Sequence, residues 1–385
     1  MYPNAARDEP HAQTGVYNRR MTESGEAARY HRLQLWLALA RLVLTAAYFL
    51  VILATGAAHR LADAAAALTT APTLHIALVA IALGGAHALL GFPLAWLAGF
   101  HLPRRFGLLH QPFTSWLRDR AKAAALGAAV TLAGVEILYA LLRVTPWWWL
   151  AMAGVAFAFA IVVTTVLPVW VLPLFYRLTP LADEALRARL LALAGRAGVP
   201  ALGVWVADQS RKSRTANAAV VGLGRTRRIL LYDTLTASFR PEEIEAVLAH
   251  ELGHHVHGDM RRGLLVQGVL SVAMFWLADR ALRAGVDLWA FSGPADPAGL
   301  AWLALIALAL GLLTAPLANG FSRFIERQAD DFALALTRNP GGFIGAMERL
   351  ASLNLAERRP HRLKELMLYS HPALDRRIAR ARAAL

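Results

Sequence analysis

The sequence predicts a mainly α-helical, polytopic membrane protein of about six transmembrane helices, with a polar domain containing a small β-ribbon. Three observations predict it. Hydrophobic residues make up 57% of the 385-residue chain, charged residues only 17%, and the mean hydropathy is +0.42, whereas soluble domains usually carry about 25% charge. Apolar runs long enough for a bilayer recur along the chain. A polar region then interrupts them, with strand-like segments leading into a histidine-rich helix.

Residues 1–34 are polar, lack an apolar core of signal-peptide type, and read as a disordered arm ending in Arg29 and Arg32. Residues 35–175 hold four spans: Leu35–Thr55, Leu74–Ala98, Ala123–Leu142 and Trp147–Phe175. Each has about the 20 apolar residues that a bilayer requires. Arg41 lies close enough to the end of the first to snorkel. Trp147-Trp148-Trp149 suit an interfacial belt, and Pro168 and Pro173 should kink or end the fourth helix. Two more spans, Leu264–Leu282 and Leu300–Leu317, lie within 263–318, and residues 319–385 form a C-terminal polar segment.

The net charge is +14, from 40 Lys+Arg against 26 Asp+Glu. The arginines fall between apolar runs, where they set topology, so the bilayer and not nucleic acid is the expected partner. The N-terminal arm and the loop with Arg104, Arg105, Arg118, Arg120 and Lys122 are basic and should face the cytoplasm. Six spans then put both termini, and the polar region after the fourth span, on that side. Arg280 and Arg283, at the far end of the fifth span, strain this assignment and are partly balanced by Asp279 and Asp287. Glu136 and His87 are polar groups inside spans; function, a water-filled cavity, an ion pair or a protonated acid would each explain the carboxylate.

Residues 176–262 are the polar domain. Thr179-Pro180 suggests a helix start, with the helix ending near Gly198. Strands are expected at Gly203–Ala207, Asn217–Val221 and Arg228–Tyr232, the last two joined as a hairpin through Gly222-Leu223-Gly224-Arg225. Pro241-Glu242-Glu243 opens the next helix, which carries His250-Glu251-Leu252-Gly253-His254. Four residues apart, His250 and His254 share a helix face and can bind one metal ion, and Glu251 flanks them as a base for a water. With 13 histidines in the chain the pair alone is a weak signal. The absence of cysteine leaves only His and carboxylate to complete a zinc site.

The third ligand must come from elsewhere. Metzincins continue with glycine and histidine where this chain has His257 and Met260. His257 lies roughly 10 Å further along the helix axis than His250, too far to share an ion, and His255 points away. Glu326, in the helix that follows the sixth span, is the better candidate, because one transmembrane hairpin returns it to the side of HELGH. Asp330, one turn later, can accept the spare N–H of a ligating histidine, while Asp331 points outward. An ordinary charged helix face is the competing reading of both.

HELGH followed through a membrane hairpin by Ser322-Arg323-Phe324-Ile325-Glu326-Arg327-Gln328-Ala329-Asp330 resembles the integral-membrane zinc metalloproteases typified by the type 1 CAAX prenyl endopeptidase. Phe106–Gln111 with Trp116 and Asp119, Leu174–Leu181, Ser213–Ala218, Arg228–Leu235 and Ser370-His371-Pro372-Ala373-Leu374 with Arg377 resemble further stretches of that family. The resemblance implies one zinc ion held by His250, His254 and Glu326, with Glu251 as general base. It also implies Asp330 as a ligand-orienting acid, His371 as oxyanion stabiliser supported by Arg377, and Asn217 and Ala218 on a substrate-binding edge. An extended peptide or protein substrate, possible membrane association of that substrate, and a water-filled chamber among the helices follow in the same way. The chain departs from eukaryotic members in lacking one early span, and it has Ala219 and Val220 where an aromatic is common. The expected activity is therefore a zinc metalloendopeptidase, multi-pass in a bacterial inner membrane, with its site on the cytoplasmic side. HtpX-type quality-control proteolysis and a catalytically inactive membrane scaffold are the alternatives.

Overall fold

The structure, a computed structural model, describes residues 9–166, 170–222, 224 and 227–385. Among them, six helices are long and apolar enough to cross a membrane: Gly25–Ala54, Pro72–Arg105, Phe113–Val144, Trp148–Thr165, Asp259–Leu288 and Pro297–Thr337. Each corresponds to one expected span. As secondary-structure elements they are α1 (Glu9–Ala54), α3 (Pro72–Trp96, continued by a π-helical turn and the short α4, Leu102–Arg105), α5 (Phe113–Val144), α6 (Trp148–Val166), α10 (Asp259–Leu288) and α11 (Leu300–Thr337). Between the first two lies α2 (Ala57–Leu68), whose 12 residues are too few to cross a bilayer.

The long helices close a ring. α1 touches α3, α3 touches α5, α5 touches α6, α6 touches α10, α10 touches α11, and α11 returns to α1. Yet no more than 17% of the most apolar stretch of any of them is buried. Helices that bury so little leave most of their apolar surface for lipid. Inside this ring His87 Nε2 bonds Thr45 Oγ1 at 2.9 Å, and its ring stacks on Phe49. Both carboxylate oxygens of Glu136 are buried without a hydrogen-bond partner among the described residues.

Helix boundaries depart from the composition boundaries. The expected disordered arm of residues 1–34 is helical from Glu9 onward, in one piece with the first span; residues 1–8 lie outside the described residues. Once a helix is nucleated each further residue extends it at little cost, and tertiary contacts hold this end: Ala27 and Tyr30 pack with Phe106, Leu108 and Leu355, and His31 Nε2 bonds the Leu355 carbonyl at 2.8 Å. The divisions expected at 262 and 318 likewise fall inside the continuous helices α10 and α11. Hydropathy marks where lipid ends, not where backbone hydrogen bonding ends. In the fourth span α6 is described as far as Val166, and Pro173 lies in a 3₁₀ turn over Leu172–Leu174. Pro168 lies outside the described residues.

The polar domain carries a four-stranded sheet in the order β1-β2-β4-β3, larger than the expected ribbon. β2 (Val204–Ala207), β3 (Ala218–Val221) and β4 (Arg228–Tyr232) lie where expected, and β3 pairs β4 antiparallel; Leu223 and Arg225 of the connecting turn lie outside the described residues. The expected helix start at Thr179-Pro180 is instead β1 (Leu178–Pro180), antiparallel to β2. Pro180 is tolerated there because β1 is an edge strand. α7 (Glu184–Arg196) begins four residues later, where the Asp183 carboxylate accepts from the Leu186 N–H at 2.9 Å. The sheet, α7, the HELGH helix α9 (Pro241–Val256) and α12 (Pro340–Leu353) enclose one core built on Leu190, Ile229, Leu231, Leu248, Leu252 and Phe343.

At the opposite end of the ring, Asp279 is fully buried and accepts from Trp148 Nε1 at 2.8 Å and Arg283 Nε at 3.0 Å, with Arg280 on its second oxygen. One carboxylate therefore answers both of the arginines that strained the topology, and it fastens α6 to α10. Replacing Asp279 by Ala strands the Trp148 N–H and both guanidiniums, which should cost ~1–3 kcal/mol. A lowered Tm of the detergent-solubilised protein is the expected reading; an unchanged Tm would show the cluster to be solvent-screened and dispensable.

Candidate metal centre

α9 and α11 meet at backbone distance. A Cβ placed on Gly253 would lie 3.1 Å from the Ala329 Cα and 3.2 Å from the Phe332 ring. Glycine in the middle of HELGH is what lets the two helices come this close. The approach puts Glu326, at 6% exposure, over the faces of His250 and His254.

Three donor residues converge, one ligand atom from each lying within 4.8 Å of the others. His250 Nε2 stands 3.3 Å from His254 Nε2 and 3.2 Å from Glu326 Oε2, and His254 Nε2 stands 3.5 Å from Glu326 Oε1. Donors bound at 2.0–2.1 Å around a tetrahedral ion lie about 3.3 Å apart, close to the separation of the two imidazole nitrogens and of each from its nearer Glu326 oxygen. Glu326 Oε2 is a buried oxygen with no hydrogen bond of its own. The environment favours positive charge. Burial disfavours a charged His250, but Asp330 on one ring nitrogen and Glu326 on the other outweigh it and push the imidazole up to about 9. Geometry and charge both fit a divalent metal ion.

The remaining ring nitrogens are already committed, which fixes both tautomers. His250 Nδ1 is 2.9 Å from Asp330 Oδ1, and His254 Nδ1 is 2.9 Å from Asp259 Oδ2. Each aspartate is in turn held by an arginine: Arg377 grips both oxygens of Asp330 at 2.6 and 2.8 Å, and Arg262 reaches Asp259 at 2.8 Å and Gln328 of α11 at 2.7 Å. Two parallel His–Asp–Arg chains therefore flank the donor residues. Asp330 is where the sequence reading expects a ligand-orienting acid, whereas Arg377 is expected to support His371; Asp259 and Arg262 were missed. On a straight helix Asp259 would sit about 140° round from His254. Gly258, in the left-handed region at φ 66°, breaks α9 from α10 and swings Asp259 back against the ring.

The other candidates are distributed around this centre. A cleft of about 540 Å³ opens beside the histidines, lined among others by Glu251, Asn217, Tyr232, Asn354, His371 and Arg377. Burial raises the Glu251 carboxyl above its ordinary value, against the pull of His250 and His254. His371 Nε2 is 3.2 Å from Glu326 Oε1 and Nδ1 is 2.9 Å from Ser370 Oγ. Arg377 is placed on Asp330, not on His371. Ala218 is buried within β3, while Asn217 just before it is exposed to the cleft. His255 bonds the Val220 carbonyl at 3.0 Å, and the His257 ring lies edge-on to Phe332, so neither joins the metal ligands. Asn354, which the sequence did not single out, pins the segment before β3 through Ala216 N–H at 2.9 Å.

A membrane-embedded metallopeptidase is the class that this ring and this centre define. The chain belongs to Peptidase family M48, which it matches over residues 180–385. Residues 7–177 match the CAAX prenyl protease N-terminal region of five membrane helices; the described part of that region here has four candidate spans and the short α2. Metalloprotease YhfN of Bacillus subtilis is 29% identical over 298 residues, covering 76% of this chain and 70% of that one. The CAAX prenyl protease 1 homolog of Arabidopsis thaliana is 30% identical over 298 residues, covering 74% and 68%. The crystal structure of Ste24p from S. mikatae has the same fold, at TM-score 0.83 and 24% identity, covering 94% of this chain and 89% of that one. The protein is thus an integral, multi-pass membrane metalloendopeptidase.

Replacing Asp259 by Ala frees the His254 ring and removes one His–Asp–Arg chain. Metal affinity should fall by roughly 10–100-fold, read as metal content after dialysis against a graded chelator. Affinity equal to the unmodified protein would reduce Asp259 to a helix-start residue.

Proposed function

We propose that the metal is zinc, held by His250, His254 and Glu326, and that the protein hydrolyses an extended peptide bound along the β3 edge. The single observation that carries this reading is the convergence of His250, His254 and the two Glu326 oxygens at 3.2–3.5 Å, with Glu251 in the adjoining cleft. Bound there, zinc would supply Lewis-acid polarisation of a water and of the scissile carbonyl. Glu251 is the general base: its raised carboxyl binds the water's proton more readily than an ordinary glutamate. His371 at the mouth of the site donates to the developing oxyanion, and Asp330 with Arg377 keeps His250 in its ligating tautomer.

The sheet suits substrate pairing. Asn217 O accepts from Tyr232 N–H at 3.0 Å, so the antiparallel alternation turns the N–H and C=O of Ala218 and Val220 to the free edge. His255 occupies the Val220 carbonyl. Ala218 is left to pair with a peptide, and Asn217 offers a side chain to it. The substrate class we favour is a membrane-associated peptide or protein, since the site is built on a helix continuous with a span. The basic loops support an orientation with that site on the cytoplasmic side, and the membrane we favour is a bacterial inner membrane.

Replacing Glu251 by Gln should preserve zinc content while lowering kcat by about 10²–10⁴-fold; undiminished peptide cleavage would sink the mechanism. Replacing Glu326 by Ala should lower zinc stoichiometry itself, and an unchanged zinc content would remove it from the ligand set. Substrate capture in cells with the Glu251→Gln variant, followed by identification of what stays bound, tests the substrate class.

A further inference from the structure

A second cavity, of about 360 Å³, lies on the far side of Asp330, between α11, α13 (Arg362–Leu368) and α14 (Leu374–Arg382). Six guanidiniums line it: Arg323, Arg327, Arg362, Arg376, Arg377 and Arg380. Only two carboxylates share the lining, Asp330 and Glu365, and both are taken, by Arg377 and Arg376 respectively. Arg380 pairs with Asp331. Arg327 and Arg362 are exposed and have no carboxylate partner among the described residues. So many like charges around one cavity are costly unless an anion sits among them, and a guanidinium fork fits phosphate oxygens in bidentate fashion.

The neighbourhood of this cavity identifies the source of that phosphate. The apolar run of the sixth span ends at Leu317. Two residues on, Asn319 Nδ2 donates to the Met367 carbonyl at 2.7 Å, and Arg323 donates to the carbonyls of Glu365 at 2.8 Å and Tyr369 at 2.6 Å. At 1.5 Å per residue, α13 is thereby tethered within about 10 Å of the end of the apolar run, close to the headgroup layer of roughly 5–8 Å. α13 is also turned the wrong way for a soluble helix. Its buried residue is Glu365, whereas Leu363, Leu366, Met367 and Leu368 are 65%, 45%, 39% and 55% exposed. A short helix with its apolar side chains outward, tethered at the interface beside a cationic cavity, is arranged for acyl chains on one side and a headgroup on the other.

We propose that this cavity binds the phosphate of an anionic phospholipid from the leaflet next to the polar domain, with α13 dipping into that leaflet. Free phosphate would satisfy the arginines but would leave the exposed apolar residues of α13 without a purpose. Arg377 lines both this cavity and the catalytic cleft, so a lipid here touches the Arg377–Asp330 clamp on His250.

The test uses the full-length protein in neutral detergent, with short-chain phosphatidylglycerol, phosphatidylcholine and inorganic phosphate as separate probes and native mass spectrometry as readout. Phosphatidylglycerol should be retained in preference to phosphatidylcholine. Arg327→Gln with Arg362→Gln should weaken that retention about 25-fold, at about fivefold per arginine, with no change in Tm. Leu366→Gln with Met367→Gln should weaken phosphatidylglycerol but leave inorganic phosphate unaffected. Equal retention of both lipids, or retention indifferent to the arginine pair, would overturn the proposal. So would inorganic phosphate displacing phosphatidylglycerol at equal concentration, which would assign the cavity to a soluble anion.

Discussion

The contact between Gly253 and Ala329 is the constraint on which the rest depends. A metal site needs donor atoms within a few ångströms, and neither α9 nor α11 holds enough of them. α9 brings His250 and His254; α11 brings Glu326 and Asp330, again one turn apart. Only when the two backbones approach as closely as a missing Cβ permits do the two i,i+4 pairs face each other. The transmembrane hairpin of α10 and α11 exists between them in sequence, so the membrane part of the chain positions one half of the site against the other.

The charges around this contact are arranged in balanced steps. A carboxylate against each imidazole fixes its tautomer, but a lone buried carboxylate would carry a desolvation cost of its own. Arg377 and Arg262 answer that cost at Asp330 and Asp259. Each Asp–Arg pair is close to neutral, so it orients a histidine without adding net charge. Glu326, by contrast, pairs among the described residues with His250, His254 and His371 and with no arginine. The negative charge left over is therefore concentrated where a metal ion would stand.

Legibility in the sequence followed the range of the interactions. Spans and the HELGH helix were readable because hydropathy and the i,i+4 spacing are local. Glu326 was readable because a membrane hairpin leaves few places for the chain to return. Asp259 was not, since its position depends on one left-handed glycine that redirects the next helix. β1 was misread because Thr179-Pro180 fits a helix start and an edge-strand end equally well, and only pairing with β2 decides. Asn354, more than a hundred residues from the Ala216 that it pins, left no local signal.

The stretch from Phe106 to Asp119 shows how the ring and the site are joined. Leu109 bridges Ser213, His110 and Gln111 donate their N–H groups to the Lys212 carbonyl, and the Lys212 ammonium meets Asp119 of α5 at 2.7 Å. Lys212 and Ser213 lead directly into Asn217 and β3. From the other side, Asn354 holds Ala216 and Arg214 donates to the Leu353 carbonyl at 3.2 Å. The free edge of β3 is thus clamped between a membrane loop and the end of α12. A change in the relative position of α3 and α5 would move that edge relative to the donor residues, because those are carried by α9 and α11 instead. The position of the β3 edge against the donor residues is in this way a property of the helix ring as well as of the polar domain.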